Sequence, residues 1–366
     1  MAYTDIDKPS DYFNTKLYTG TGSSLAITGV GFQPDWIWFK ERGATRSHAL
    51  VDSVRGRNKV VFADLNNAEE TSAASTNDLK SFDSDGFTVG VTNVSGSFNT
   101  DSGSHVAWNW KAGTSFTNDA SSTGIGSIDS AGSFNNDSGF SIVSYTNTNQ
   151  SANSGVATIK HGLNTTPNVL ILKDRDATSD WQVFHSSLPT NKYLDLNTTD
   201  AAAVDTNVWN NTAPTSSVFT VGDNSYSNPA NRAMIAYCFA EKKGYSKFGS
   251  YTGNGDADGT MVYTGFKPAW TLIKRTDSTT GGSWILFDNK RGANVINPVD
   301  VVLAASNNQS EADWGTAYDC DYLSNGFKWR HDGSSGYVNV SGASYIYMAF
   351  AENPFVTSTG VPATAR

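Results

Sequence analysis

Apolar residues in this chain come in short runs of about four to eight, the length expected of strands. The runs are rich in Val, Ile, Phe, Trp and Tyr and are closed off by Gly, Asn, Asp and Ser. That is strand and turn chemistry, since β-branched and aromatic side chains pack well on a pleated surface. A helix would need apolar residues spaced by three and four over a dozen or so positions. The best such stretch, near Ala68 to Asp78, is too rich in Ser and Thr to hold one. The pattern predicts an all-β protein.

The runs recur in the same order three times, each set marked by four signposts. An aromatic run ending in a turn comes first: Leu17-Tyr18-Thr19-Gly20, Ser144-Tyr145-Thr146-Asn147 and Ser250-Tyr251-Thr252-Gly253. A proline strand follows, from Pro34, Pro167 and Pro268 to Lys40, Lys173 and Lys274, six positions on in every copy, with an arginine beyond at Arg42, Arg175 and Arg275. The third is a turn into a strand at Asp85-Gly86-Phe87, Ser217-Val218-Phe219 and Asn325-Gly326-Phe327. The fourth alternates rings with small residues: Val106-Ala107-Trp108-Asn109-Trp110, Ile235-Ala236-Tyr237-Cys238-Phe239 and Ile346-Tyr347-Met348-Ala349-Phe350.

The spacing predicts three tandem antiparallel β-sandwiches of jelly-roll-like type, at residues 11–113, 139–242 and 246–355. Residues 114–138, dominated by Ser, Gly, Asn and Thr, read as a flexible linker that sets the first unit apart, and 1–10 and 356–366 read as extended termini. Proline cannot donate to a ladder, so each proline should start a buried strand, and the lysine that ends it should reach water. Trp36, Trp110, Tyr237, Phe239, Trp270 and Phe350 are the expected core anchors of the repeats.

Composition narrows the functional classes. With 17% charged and 12% aromatic residues, the chain has enough ring area to offset ordering entropy and should fold. A net charge of -9 and the lack of any Lys/Arg cluster speak against nucleic acid as a partner. No run approaches the roughly 18 apolar residues of a membrane span. The polar, acidic start Met1 to Ser10 lacks the order of a signal peptide, so assembly in a cytoplasm is expected. Cys238 and Cys320 are too few for a disulfide framework or a thiolate zinc site, and Cys238 reads as a small buried hydrophobe.

Catalytic constellations are not evident, and no cofactor, metal or catalytic residue is assigned. His48, His105, His161, His185 and His331 show no metal-ligand spacing and read as surface or capping residues. Glu241 and Glu352 follow two of the closing strands and suggest pairing with nearby lysines, and Glu41 reads as a solvated strand end. Asn254-Gly255-Asp256-Ala257-Asp258-Gly259 imitates a calcium loop, but Gly265 stands where its bidentate carboxylate belongs. It reads as a turn, as does Asp83-Ser84-Asp85-Gly86, whose Asp-Gly pair signals a hairpin. Rings outside the closing strands are candidates to stack on a glycan or meet a partner: Trp209, Trp314 and Trp329. Trp181 and Trp284 sit in repeated apolar contexts that favour the core.

Gly31-Phe32-Gln33-Pro34-Asp35-Trp36-Ile37-Trp38-Phe39-Lys40, Ser81-Phe82-Asp83-Ser84-Asp85-Gly86-Phe87, Ala107-Trp108-Asn109-Trp110-Lys111-Ala112-Gly113 and Gly244-Tyr245-Ser246-Lys247-Phe248-Gly249 carry a resemblance. They are similar to a repeat in virion proteins of tailed phages of marine bacteria and cyanobacteria, over about residues 11 to 355. The resemblance implies a non-enzymatic structural component of the virion's outer surface, a capsid decoration or a tail or fibre part. Such a protein would be multicopy or oligomeric, with other virion proteins as partners. An adhesion module for host-surface glycan is the alternative, and a polysaccharide-degrading enzyme a third reading. The second unit departs from the pattern, with Thr166 before its proline and no Asp-Gly turn.

Overall fold

The structure is a computed structural model and describes residues 3–71, 78–91, 98–148, 155–292, 297–313 and 315–362. Its regular secondary structure is almost entirely antiparallel strand, as the short apolar runs require. One strand order occurs three times. In the first unit Phe13–Thr19, Ser104–Trp110, Trp36–Glu41, Ala49–Asp52, Lys59–Phe62 and Glu70–Thr71 lie side by side. In the second, Phe140–Thr146, Ala233–Phe239, Val169–Asp174, Gln182–His185, Lys192–Asp195 and Ala203–Val204 do the same. Ser246–Thr252, Ser344–Pro354, Phe266–Arg275, Trp284–Asp288, Val301–Ala304 and Ala312–Asp313 form the third.

A small sheet covers the outer face of each large one: Leu25–Thr28, Gly86–Val89 and Leu79–Asp83 in the first unit, and Met261–Tyr263, Gly326–Trp329 and Cys320–Leu323 in the third. Both carry the tight hairpin that Asp-Gly or Asn-Gly signals, with Asp83 opposite Gly86 and Leu323 opposite Gly326. In the second unit, among the described residues, only Ala157–Lys160 and Val218–Val221 pair, and Val208 and Trp209 lie in the core cluster beneath them. The sandwich is jelly-roll-like only in its outer strands. From Trp36–Glu41, Val169–Asp174 and Phe266–Arg275 to the far edge each large sheet is a meander, where a full double Greek key would alternate between sheets.

Alternation along the strands decides the packing. Trp36 and Trp38 face inward while Ile37 and Phe39 face the small sheet, and Trp270 and Leu272 face inward while Ile273 faces outward. Inward residues of all three units fall in one cluster, with Trp36, Trp110, Tyr237, Phe239, Trp270 and Phe350 at its heart. Outward residues fall in three separate clusters, one per unit. The repeated rings therefore join the units to one another, and the first unit is not set apart.

The linker is corrected as well. Within the segment read as a linker, Thr114–Asn118 and Ser130–Asn135 pair with each other and extend the second large sheet beside Phe140–Thr146. Their polar side chains do not prevent this, because ladder bonds use backbone groups only. The stretch near Ala68 to Asp78 contains the strand Glu70–Thr71, and residues 72–77 lie outside the described ones. The prolines behave as their missing N–H demands. Pro34 and Pro167 lie just ahead of their strands, but Pro268 does not start one as expected: it is the third residue of Phe266–Arg275, at a shift of register where no ladder donor is needed.

Candidate functional site

The densest chemistry of the molecule lies where the units meet, and it follows the order first to second, second to third, third to first. At the first junction Asp52, ending its strand, pairs with Arg55 three residues on at 2.5 Å, both side chains fully buried. Tyr237 of the second unit donates its hydroxyl to Asp52 Oδ2 at 2.8 Å and accepts from Arg55 Nη2 at 3.1 Å. Glu69 then grips Arg175 of the second unit in a two-point contact of 2.8 and 3.0 Å. The planar guanidinium fork suits such a carboxylate.

The junction of the third unit with the first repeats this design. Asp288 pairs with Arg291 at 2.6 Å, again with both side chains fully buried. Trp108 of the first unit donates its indole N–H to Asp288 Oδ2 at 2.9 Å, and Arg291 lies 5.6 Å from the Trp108 ring centre. Glu311 binds Arg42 at 2.6 and 2.8 Å.

Between the second and third units the same places hold different residues. His185 stands for the aspartate and Leu188 for the arginine, and His185 Nε2 lies 3.2 Å from the carbonyl of Tyr347. Ala202 and Thr276 replace the glutamate and its arginine, so the expected Arg275 is one position out of step. Arg275 turns to Asp277 at 2.7 Å instead. A backbone bond survives at all three junctions: Glu69 to Arg175, Ala202 to Thr276 and Glu311 to Arg42, at 2.8 to 2.9 Å. The three contacts close a ring with pseudo-threefold character.

The lysines that end the proline strands do not reach water. Lys40, Lys173 and Lys274 are buried and donate to backbone carbonyls: Lys40 to Ala44, Lys173 to Ser179 and Lys274 to Asp200 of the second unit. Burial, more than any neighbouring charge, lowers all three ammonium pKa values to about 8. An unfolded lysine titrates near about 10.4. Between these values the unfolded chain holds protons that the folded chain has lost. Stability is therefore expected to rise with pH above about 8 and to be lost again as pH falls through it. Above about pH 8.5 the buried Cys238 and Cys320 thiols, and above about pH 10 the buried tyrosines, act in the opposite sense, since in each case the unfolded chain ionises first. Melting temperatures followed from about pH 7.5 to 8.5, where the lysines dominate, should climb, and Lys173→Met should reduce the climb. A flat parent profile would contradict the depressed lysines.

The candidate contact rings fare differently. Trp209 and Trp329 are fully buried and cannot stack on a glycan, while Trp314 lies outside the described residues. Trp181 and Trp284 are buried too, each donating to a carbonyl of the preceding unit, Phe62 at 2.8 Å and Asp195 at 2.9 Å. Among the described residues the exposed rings are tyrosines: Tyr3, Tyr226 and Tyr263. No sequence signal distinguished them, because an exposed ring and a buried one can share the same strand context.

Glu41 is buried, accepting from Thr100 Oγ1 at 2.9 Å, and is not a solvated strand end. His48, His105, His161 and His185 are buried rather than superficial. His161, His185 and His331 do cap, each accepting the backbone N–H two residues on. Burial holds His161 and His185 neutral, lowering their pKa values to about 4. Cys238 and Cys320 are buried and unpaired, and burial pushes the Cys238 thiol up to about 12. Glu241 pairs with Lys247 at 2.9 Å and Glu352 with Lys267 at 2.7 Å. In the loop 254–259 Asn254 Oδ1 accepts from Asp256 N and Asp256 Oδ1 from Asp258 N, while Asp258 pairs with Lys328. Among the described residues no helix is long and apolar enough to cross a membrane, and no group of three or more His, Cys, Asp or Glu side chains is placed to hold a metal.

A single family model covers both the closed ring and its connectors, matching residues 8–354 under the description domain of unknown function (DUF7483). The chain belongs to this family. No curated protein and no solved structure matches it. The match of this DUF7483 chain runs unbroken across all three units and the hairpin between the first two, consistent with the shared core.

Proposed function

We propose that the protein is a non-enzymatic structural component of the outer surface of a tailed-phage virion, a capsid decoration or a tail or fibre part, acting through protein–protein contacts. The observation that carries this reading is where its buried charges go. Asp52, Arg55, Asp288 and Arg291 are spent on joining units within the chain. Such burial is costly, and one attested use of buried ionic groups is to specify a unique arrangement. A ring that closes on itself gives a stiff block whose loops remain free to meet neighbours. The sequence resemblance to virion proteins points the same way.

The test is the composition of purified particles. Virions of a phage encoding this chain are expected to contain it in fixed stoichiometry, with a particle reconstruction placing it outermost. Its absence from purified particles, with expression in the infected cell, would overturn the proposal.

A further inference from the structure

We propose that a cleft between the second and third units binds a neutral saccharide, a reading independent of the architectural role above. The cleft, about 750 Å³, opens where residues 3–5, the connector 241–247, the turn after Met261–Tyr263 and the tail at Phe355 and Val356 come together. That lies within the usual range of roughly 300 to 1,000 Å³ for small-molecule sites.

Its chemistry favours a sugar. Tyr3 and Tyr263 line it with 63% and 61% of their surface exposed, whereas every described tryptophan is buried. A phenol ring offers an apolar face to the C–H face of a pyranose and a hydroxyl at its edge. The charged residues of the wall are Asp5, Glu241, Lys243 and Lys247, two acids and two bases whose charges cancel. The wall itself therefore offers no surplus of either sign to fix an anionic or a cationic sugar. Glu241 is held in place, accepting from Phe248 N at 2.8 Å and from Lys247 Nζ at 2.9 Å. Each carboxylate oxygen can accept a second bond, which a sugar hydroxyl would supply.

The wall is also built in advance. Thr4 donates its hydroxyl to the carbonyl of Lys243 at 2.7 Å, and Asp5 N donates to the same carbonyl at 2.9 Å. Gly244 has φ +81°, and a Cβ there would lie 1.7 Å from Thr4 Oγ1, so only glycine lets residues 3–5 lie so close. A preformed wall lowers the ordering cost of binding.

The test is affinity electrophoresis of the full chain in native gels cast with dextran, mannan, galactan or xylan. Calorimetric titration with hexasaccharides of the same four series follows. At least one neutral polymer is expected to retard the protein. Tyr3→Ala and Tyr263→Ala should each weaken the association by about tenfold, the loss of one stacking ring. Both rings are exposed, so the melting temperature should not move. Tyr226→Ala, an exposed ring outside the cleft, should bind as the parent does. Retardation by none of the four polymers, or equal binding by the parent and both cleft variants, would overturn the proposal. Neither result bears on whether the chain is found in particles.

Discussion

Asp288→Ala is expected to lower unfolding stability by about 3 to 5 kcal/mol, the cost of leaving a buried charge without its partner. Arg291 would then stand fully buried, with Glu311 at 3.5 Å as its remaining acid. Trp108 of the first unit would also lose the acceptor of its indole N–H. Replacing both members, as Asp288→Leu with Arg291→Met, should recover most of the loss, because apolar side chains of similar volume often substitute for a buried pair without penalty. The protein already contains an uncharged replacement, in His185 and Leu188 at the junction of the second and third units. Guanidinium unfolding followed by tryptophan fluorescence measures both variants. A loss below about 1 kcal/mol for the single variant, the value of an exposed pair, would show that Arg291 reaches water and that the ring is not sealed there.

Trp270→Ala should cost a similar amount, about 3 to 5 kcal/mol, through lost burial and the cavity left behind. The distinctive expectation is how the loss spreads. The Trp270 ring lies 5.6 Å from that of Trp110 in the first unit, nearly perpendicular to it, and 6.3 Å from Phe13 of the same unit. Its own closing ring, Phe350, is 5.7 Å away. The cavity thus opens in the core that all units share, and calorimetry should show one transition moved to lower temperature. A transition that split, leaving part of the molecule at the parent's melting point, would mean that the units fold separately.

Local chemistry was legible in the residues. Strand composition, the Asp-Gly and Asn-Gly hairpins and the displaced prolines each depend on a few neighbouring positions, and the structure places them accordingly. The threefold recurrence was legible for the same reason, since each copy keeps the spacing from its proline to its lysine. The candidate contact residues were not. Trp209 reads as a loop ring, yet it is buried against Phe184 at 5.7 Å, in a unit that lacks the third strand of its small sheet among the described residues. The exposed tyrosines have no pattern of their own; Tyr263 is exposed because its strand lies in an outer sheet.

What the sequence by itself determined is the β character, the order of the strands' signposts and the inward pull of the repeated rings. Which partner those rings meet was decided only by the tertiary structure. The run Trp36–Glu41 is buried on both faces, and a strand covered on both sides reads as one apolar stretch, with nothing to say which cover is the unit's own and which is a neighbour. The same holds for Lys40, Lys173 and Lys274. Each reads as the end of a buried strand, and only the fold shows the carbonyls that let an ammonium group be kept from water, Ala44 and Ser179 in the same unit for Lys40 and Lys173 and Asp200 of the second unit for Lys274.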